Sequence, residues 1–310
     1  MKIAVVFDLD NLDAEREKMI DSVYNSLLKH PEITSVEKVP FNNDFLHTIV
    51  KFDAVFNLST AHKQMHVPAI LDLLGIPYTG SSATTHGICI DKTLTKIVLK
   101  HYGIPTPDFF VVDVGEEPQS LHFSTAIVKP SRQGSAKGIF YDSVVHDISG
   151  LKKAVSRIHE QFKEPALVEE FIEGKELSVG IVGDKVLPIL EIDFSELPEG
   201  IENFYSYRVK HFYAEKTRYY CPARISEEIA EIIKFYAVKV FHALGLRNYS
   251  RMDLRLKGDK VYFLEVNSLP MLTPEYSDIT KMAEAAGWSY DELIFSIFND
   301  VIKNNDMLHP

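Results

Sequence analysis

The sequence predicts an α/β protein that begins with a parallel α/β lobe and continues with antiparallel sheets. Over roughly the first 85 residues, short apolar runs rich in β-branched residues alternate with segments whose apolar residues recur at helical spacing. From residue 109 onward, strand-like segments come in pairs, and two pairs are joined by turns that contain glycine and aspartate. The 310 residues exceed what one small core usually serves, so we expect two or three lobes.

The parallel lobe is predicted from alternating strands and helices. Gly75 ends its second helix, and a short strand follows at once. We expect a domain boundary near Ser82–Gly87. The predicted elements are strands at Lys2–Phe7, Asp53–Leu58 and Pro77–Tyr78, and helices at Asp13–His30 and Val67–Leu74.

The rest of the chain is predicted as strand pairs separated by helices. Gly103 and Pro105 end the first of these helices, because proline cannot continue a helix. Strands are expected at Phe109–Val112, Thr125–Lys129, Gly138–Tyr141 and Leu167–Phe171, and hairpins at Glu176–Val182 with Lys185–Asp193 and at Ser250–Leu256 with Lys260–Val266. Helices are expected at Asp91–Tyr102, Ile148–Gln161, Ser226–Leu244, Lys281–Gly287 and Tyr290–Ile302.

Composition narrows the class of protein. The net charge of −11 argues against a basic nucleic-acid surface, although it leaves room for a local basic patch. Cys89 and Cys221 are far apart and lack CxxC spacing, which favours reduced thiols. The apolar run before Asp8 is too short for a signal peptide, and no segment approaches the roughly 20 apolar residues of a membrane span. We therefore expect a cytoplasmic protein without nucleic-acid or membrane partners.

The last predicted hairpin ends in a cluster of polar side chains. Residues two apart share one face of a strand, so Glu265 and Asn267 project together, as do Arg251 and Asp253 on the partner strand. Antiparallel pairing brings Asp253 near Glu265. Two carboxylates and an amide oxygen form a hard oxygen set that suits Mg²⁺, which usually keeps water and phosphate oxygens as further ligands. A polar strand end that faces solvent is the alternative interpretation.

A loop of small residues follows the strand that ends at Lys129. Gly134 and Gly138 permit close backbone approach, and Ser135 with exposed amides can bond phosphate oxygens. Lys129 supplies positive charge, and Lys92 at the start of a helix is a second candidate. The GxxxxGK[ST] pattern is absent, so this is not a Walker loop. A plain hairpin turn and a solvated helix lysine are the alternatives.

Residues 167–179, LVEEFIEGKELSV, read as a strand, a short acidic connection and another strand. Backbone groups at such a strand end can read an adenine edge, and a carboxylate such as Glu176 can hold ribose hydroxyls. A charged surface turn is an equally good interpretation of this stretch alone.

Taken in order, these segments resemble the ATP-grasp superfamily and, within it, the D-alanine–D-alanine ligase family. The resemblance covers nearly the whole chain, and the order of the segments is specific although no single one is. It rests on KPSRQGSAKG, VEEFIEGKE, YSYRVKH…CPA, RMDL and LEVNSLPMLT, together with DAERE, GIPYTGS, DKTLTK and GWSYDELI. It implies an N-terminal α/β domain over 1–85, a central ATP-grasp subdomain over 86–180 and a C-terminal one with the metal site over 181–310. ATP would lie between two antiparallel sheets.

The resemblance also implies a reaction. The family phosphorylates a carboxylate to an acyl phosphate, which an amine then attacks to form an amide. Small carboxylate and amine substrates are implied, most naturally amino acids, and a homodimer is suggested by resemblance alone. Arg251 would stabilise the oxyanion, Lys210 would reach the γ-phosphate, Glu15 would orient the first substrate's ammonium group, and Ser135 would help place the acceptor. Lys92 and Lys129 would contact ATP phosphates, Glu169, Glu170, Phe171 and Ile172 the adenine, and Glu176 the ribose, while Asp253, Glu265 and Asn267 would hold two Mg²⁺ or Mn²⁺ ions.

The chain departs from the family in its substrate half. Asp8-Leu9 stands in place of a glycine pair, FNLSTAHKQMHVPAIL in place of the HG…GEDG segment, Met271 in place of the glycine of PGM, and His211 in place of a tyrosine. Ala136 replaces the second serine of the nucleotide loop. We therefore expect an intact nucleotide and metal site with rebuilt substrate selection. His211 is expected either to titrate near neutral pH or to be a surface loop histidine.

The favoured function is an ATP-dependent carboxylate–amine ligase that forms a dipeptide-like bond. Three alternatives remain open at this point. One is a genuine D-alanine–D-alanine ligase of cell-wall synthesis. Another is a catalytically altered nucleotide-binding protein. The third is a related ligase that makes peptide-like secondary metabolites or modifies a peptide terminus.

Overall fold

A computed structural model describes residues 1–10 and 12–306 of the chain. Its first lobe is a three-stranded parallel sheet, in the order β2-β1-β3, with helices on both faces. The elements are β1 (Lys2–Phe7), α1 (Ala14–Leu27), β2 (Ser35–Pro40), α2 (Phe45–Ile49), β3 (Ala54–Asn57) and α3 (Lys63–Leu74). The parallel α/β start predicted from the sequence is confirmed.

Both faces of the central strand β1 are buried, which is why it reads as a continuous apolar run. Ile3 and Val5 pack toward α1, and Ala4 and Val6 pack toward α2 and α3. The sequence did not predict β2, because this edge strand exposes Glu37 and Lys38 and so lacks an apolar run. The strand predicted at residues 77–78 is a single parallel bridge between Val55 and Tyr78.

The second lobe is a four-stranded antiparallel sheet, in the order β4-β7-β5-β6, with one helix packed on it. Its elements are β4 (Phe109–Val112), β5 (Ala126–Pro130), β6 (Val144–Val145), α6 (Ile148–Phe162) and β7 (Ala166–Glu170). The helices α4 (Ala83–Ile90) and α5 (Lys92–His101) precede this sheet in the chain, but their Cys89 and Leu99 belong to the core of the third lobe. The strand predicted at Gly138–Tyr141 is wrong. Ser135, Ala136 and Gly138 all have positive φ angles, so the chain turns there. A Cβ at Gly138 would lie 2.8 Å from Phe162 and 2.9 Å from Pro130, so that turn requires glycine.

The third lobe is a six-stranded antiparallel sheet with helices on both faces. The elements are β8 (Lys175–Val182), β9 (Lys185–Val186), β10 (Leu190–Asp193), α7 (Tyr207–Phe212), β11 (Arg218–Tyr220), α8 (Glu227–Ala243), β12 (Tyr249–Lys257), β13 (Lys260–Asn267), α9 (Asp278–Ala285) and α10 (Tyr290–Asp306). Both predicted hairpins are present. The partner of β8 is broken into β9 and β10 around Pro188, which has no N–H to donate to the sheet.

The first and third lobes share one hydrophobic core, in which Met19 and Val23 of α1 pack with Ile294 and Phe298 of α10. The lobe boundaries proposed from the sequence stay a prediction. The first one, between residues 85 and 86, lies within α4. The second, between 180 and 181, lies within β8, which pairs with β12 of the third lobe over eight residues. Across the described ranges, no helix is both long and apolar enough to cross a membrane.

Candidate active site

The metal-binding end predicted for the hairpin β12–β13 has the expected register. Asp253 lies opposite Glu265, and Arg251 lies opposite Asn267. The pairing shifts by one residue between Asp253 and Leu254, which forms a β-bulge directly beside the acids. Bulges are common next to active sites because they redirect side chains. The structure therefore places the three predicted metal ligands and Arg251 on one face of the sheet.

Of the three predicted metal ligands, Asp253 accepts the most hydrogen bonds. It accepts hydrogen bonds from the Arg251 guanidinium at 2.9 and 2.8 Å and from the Asn267 amide nitrogen at 3.0 Å. The Ser178 hydroxyl donates a further bond to it. Burial raises the pKa of Asp253, and the Arg251 charge opposes that rise. Because Asn267 bonds through its nitrogen, its amide oxygen remains available to a cation.

Glu265 is surrounded by positive charge. Burial opposes its ionisation, but Lys92, Lys129, Arg251 and Lys210 together lower the pKa of Glu265 to about 2. The Lys92 ammonium lies 3.5 Å from the Glu265 carboxylate and donates to the Gln133 carbonyl at 2.5 Å. Glu265 is therefore an anion at neutral pH, and Lys92 connects the predicted metal-binding end to the glycine loop.

A second lysine of the predicted nucleotide site is held in a buried ion-pair group. Lys129 donates to Glu169 at 3.1 Å, and the Lys96 ammonium lies 3.5 Å from the same carboxylate. Burial lowers the pKa of Lys96 to about 8 in spite of Glu169. Burial works against ionisation of Glu169 too, yet Lys129 and Lys96 lower its pKa below the ordinary range. The Glu169 carboxylate thus anchors Lys129. It points inward to the two lysines and not outward to solvent.

Lys96 was not predicted as a site residue, although the segment DKTLTK already carried it one helical turn after Lys92. Its side chain is completely buried and also donates to the Thr106 hydroxyl at 2.8 Å. Thr106 in turn donates to the Phe263 carbonyl on β13. Lys96 therefore connects the helix of Lys92 with the strand β13, which carries the predicted metal ligands Glu265 and Asn267.

The remaining predicted nucleotide residues lie on the segment that joins the two antiparallel sheets. Phe171 meets Phe204 of the third lobe edge-on at 5.7 Å, and Ile172 is buried. Glu176 is paired with Arg255 at 2.7 Å, while burial raises the pKa of Glu176. Glu170 is half-buried and donates its backbone N–H to Asp108 at 2.8 Å. An apolar seam with one anchored carboxylate suits an adenine ring and its ribose.

The segment that carries Lys210 lies beside the glycine loop, because the Tyr207 N–H donates to the Ile139 carbonyl at 2.8 Å. Among the described residues, the Lys210 ammonium has no hydrogen-bond or ion-pair partner, and burial lowers its pKa. Ser135 lies in the exposed part of that loop.

His211 is an exposed residue of α7. Partial burial and the charges of Lys210 and Lys137 all lower the pKa of His211. The ring is exposed and lies 4.3 Å from that of Tyr207. His211 therefore matches the surface-histidine interpretation.

The predicted substrate end contains a carboxylate with one unsatisfied oxygen. One oxygen of Glu15 is buried and has no hydrogen-bond partner within the described chain, and the Glu15 backbone carbonyl accepts from Thr273 at 3.1 Å. Asp8, which replaces the family's glycine, is satisfied internally. It pairs with Arg16 at 3.2 Å and accepts from the Thr60 N–H at 2.7 Å. Asp8 therefore braces the substrate end, while Glu15 remains available to a ligand.

Sequence reasoning also missed a group of residues that surrounds Arg251 on the side away from the metal ligands. Asp278, the first residue of α9, lies 3.2 Å from the Arg251 guanidinium. Lys281 lies over the Tyr219 ring at 4.7 Å. These residues come from elements far apart in sequence, so no local pattern indicated them. Met271 packs against the shared core, which accommodates the side chain that replaces the family's glycine.

Comparison with known proteins agrees with this geometry. A family model described as D-ala D-ala ligase C-terminus matches residues 98–299. A D-alanine–D-alanine ligase of Nitrosospira multiformis is 34% identical over 310 residues, which is 96% of this chain and 95% of that one. The uncharacterized protein y4sG of Sinorhizobium fredii is 34% identical over 251 residues, 79% of this chain and 73% of its own length. A crystal structure of D-alanine–D-alanine ligase from Bacillus anthracis complexed with ATP covers 99% of both chains, with a TM-score of 0.79 and 24% identity, which shows a shared fold.

Proposed function

This chain belongs to the D-alanine–D-alanine ligase family of ATP-grasp carbon–nitrogen ligases, and we propose that it joins a carboxylic acid to an amine through an acyl phosphate. The observation that carries the proposal is the end of the hairpin β12–β13. There Asp253, Glu265 and the free amide oxygen of Asn267 converge beside Arg251 and Lys92.

The donor set fits magnesium ions. Two carboxylates and an amide oxygen are hard ligands, and Mg²⁺ completes its shell with water and phosphate oxygens. The described residues contain no group of three or more His, Cys, Asp or Glu side chains that would suit a metal needing an all-protein cage. Asp253, Glu265 and Asn267 would hold the ions. Magnesium, when bound, offsets charge on the phosphoryl group being transferred.

The lysines of the site prepare it for a triphosphate. A carboxylate is a poor acyl donor because its oxygen is a bad leaving group, and phosphorylation removes that obstacle. Lys129 is fixed by Glu169, and Lys92 is fixed by Glu265 and Gln133, so both ammonium groups are positioned before ATP binds. The unpaired ammonium of Lys210 can meet the γ-phosphate. A phosphate beside Lys210 would raise its pKa again.

The substrate end supports an amino acid as the first substrate. A buried carboxylate oxygen without a partner is costly unless a donor arrives, and the ammonium group of an amino acid is such a donor. The orphaned oxygen of Glu15 therefore favours a donor molecule with an ammonium group near its carboxylate. The named relatives support D-alanine as one candidate. Since the reaction consumes ATP, we propose a cytoplasmic location.

The first test is ADP release from MgATP with pairwise mixtures of D- and L-amino acids and small carboxylic acids, with products identified by mass spectrometry. We expect Asp253→Asn and Glu265→Gln to abolish release while the circular dichroism spectrum is kept. Glu275→Gln is the control, because Glu275 is a largely exposed carboxylate paired with Lys18. Near-wild-type turnover in either metal-site variant would remove the proposal.

A further inference from the structure

Arg251 is held by carboxylates on both of its sides. Its Nε and one Nη donate to Asp253 at 2.9 and 2.8 Å, and its other Nη lies 3.2 Å from Asp278. The Arg251 and Asp278 side chains are only 18% and 16% exposed. Because each guanidinium nitrogen already faces a carboxylate oxygen, Arg251 brings little uncompensated positive charge to a second anion.

Asp278 also occupies a place that usually attracts anions. It is the first residue of α9, where the unpaired N–H groups and the helix dipole favour negative charge. The hydroxyl of the preceding Ser277 accepts from the Thr273 N–H at 3.0 Å and is therefore engaged. The protein thus places its own carboxylate where a substrate carboxylate would otherwise find donors.

Two lysines also carry charge in this cluster, and Asp278 interacts with both. The Lys281 ammonium donates to the Tyr276 carbonyl and lies over the Tyr219 ring. Lys210, whose charge also acts in this cluster, is the lysine we assign to the γ-phosphate. Of the titratable tyrosines here, Tyr205 and Tyr219 share a hydrogen bond between their hydroxyls, and burial raises both of their pKa values. Within this cluster, Asp278 is therefore the anion that lies both at the start of α9 and beside Arg251.

We propose that Asp278 rejects acceptor amines that carry a free α-carboxylate. The natural acceptor is then an amine whose carboxyl group is absent or already in amide linkage, such as the amino terminus of a peptide. This inference rests on the proposed function. The acyl carbon must lie near Arg251, because we assign that guanidinium to the oxyanion. Asp253 occupies the edge of the guanidinium that faces the predicted metal ligands. An acceptor therefore approaches along the edge that Asp278 occupies, where a second carboxylate meets like charge in a partly buried site.

The amide-forming step itself is unchanged by this selection. The neutral amine forms the N–C bond, the C–O bond to phosphate breaks, and phosphate leaves with the electron pair. One proton of the amine nitrogen passes to solvent. Asp278 acts before this step, by favouring a cationic amine without an attached carboxylate.

The test separates acyl-phosphate formation from acceptor choice. Wild-type enzyme is first incubated with MgATP, hydroxylamine and each of a panel of amino acids and carboxylic acids. Hydroxamate forms from an acyl phosphate whatever the natural acceptor is, so it identifies the donor. With that donor, kcat/KM is then measured for matched acceptors that differ only at the carboxyl group: glycine and glycinamide, and D- and L-alanine with their amides.

The same pairs are measured with Asp278→Asn and with Asp291→Asn. Asp291 is a matched control, because it lies in the first turn of the neighbouring α10 and is paired with Lys29 at 2.8 Å. Comparing the amide-to-acid ratio between enzymes cancels the intrinsic reactivity of the two amines. We expect the wild type to prefer the amide, Asp278→Asn to reduce that preference about tenfold or more, and Asp291→Asn to leave it unchanged.

Three results would overturn the inference. Hydroxamate formation together with equal use of glycine and glycinamide by the wild type would refute the acceptor class, whatever the variants do. An unchanged ratio in a folded Asp278→Asn variant would refute the role of Asp278. The absence of hydroxamate with every donor would instead refute the acyl-phosphate function on which the inference rests.

Discussion

Replacing Glu169 with glutamine tests the buried ion-pair group beneath the nucleotide site. Glu169 is 1% exposed, and its carboxylate faces the ammonium groups of Lys129 and Lys96 at 3.1 and 3.5 Å. Glutamine keeps the shape of the side chain but removes its charge. The variant therefore leaves two buried lysines without their counter-ion.

The size of the effect follows from what each lysine loses. Lys129 loses a hydrogen bond to a charged group, worth about 1.5–3 kcal/mol. Lys96, whose pKa in the wild type is about 8, is ionised at pH 7 but becomes neutral in the variant. That adds about 1.4 kcal/mol for the pH unit between 7 and 8. We expect Glu169→Gln to lower the free energy of unfolding by about 3–4 kcal/mol at pH 7.

The deficit should shrink as the pH rises. The pKa of Lys96 in the folded wild type, about 8, lies below its ordinary value of 10.5. The unfolded chain therefore binds more protons between these values, and wild-type stability rises with pH through that window. In the variant the pKa of Lys96 falls further, so the pH range over which stability rises extends below pH 8. By pH 9 Lys96 is neutral in both proteins, and its part of the deficit has disappeared.

Urea unfolding followed by circular dichroism at pH 7 and pH 9 measures both effects. The control is Glu170→Gln, a half-buried neighbour on the same strand with its side chain on the opposite face, which we expect to change stability by less than about 0.5 kcal/mol. A loss below about 1 kcal/mol for Glu169→Gln at pH 7, or a deficit that grows with pH, would refute this account of the ion-pair group.

Variants at three further residues probe the site. His86 is buried, burial lowers its pKa to about 3, and its ring bonds the Ser268 hydroxyl at 2.7 Å, next to Asn267. We expect His86→Leu to raise the Mg²⁺ concentration for half-maximal activity about tenfold, and His86→Asn to restore part of that loss. Glu15→Gln should raise the KM of the first substrate and leave the KM of ATP unchanged. Lys210→Met should lower kcat about a hundredfold with little loss of stability.

Each of these variants has a contradicting result. The control for His86→Leu is Thr85→Val, because Thr85 lies on the same helix but its hydroxyl donates to the Leu244 and Gly245 carbonyls. If this control raised the Mg²⁺ concentration for half-maximal activity equally, the effect would come from general destabilisation. If Glu15→Gln left the KM of the first substrate unchanged, the proposed contact between Glu15 and the substrate ammonium group would be refuted. If Lys210→Met kept the wild-type kcat, the proposed role of Lys210 in phosphoryl transfer would be refuted.

The cluster of polar side chains at the end of the hairpin β12–β13 was predictable because its signals are local. The hairpin turn, the strand alternation and the two-residue spacing of the side chains together predicted that Asp253 would lie near Glu265, and in the structure the two residues are directly opposite. The resemblance to the family supplied the order of the other segments. The sequence could not show that Asp278 would face Arg251, because that contact depends on how α9 packs against the sheet.

Features governed by tertiary packing were also missed in the fold. The edge strand β2 has exposed charged residues and is held by its pairing with β1, which no pattern within its own six residues indicates. Apolar residues 139–140 read as a strand, but the positive φ angles before them turn the chain away. Lys96 was not predicted as a site residue, because its burial depends on Glu169 and Thr106 from distant segments.

The central claim is that this protein activates a carboxylic acid by transferring the γ-phosphoryl group of ATP to it. The most direct measurement uses the donor acid labelled with ¹⁸O in its carboxylate, together with MgATP and an amine that supports turnover. Mass spectrometry of the inorganic phosphate then reports the origin of its oxygens. The account predicts one labelled oxygen in the phosphate for each amide formed. Unlabelled phosphate released alongside the amide would contradict it.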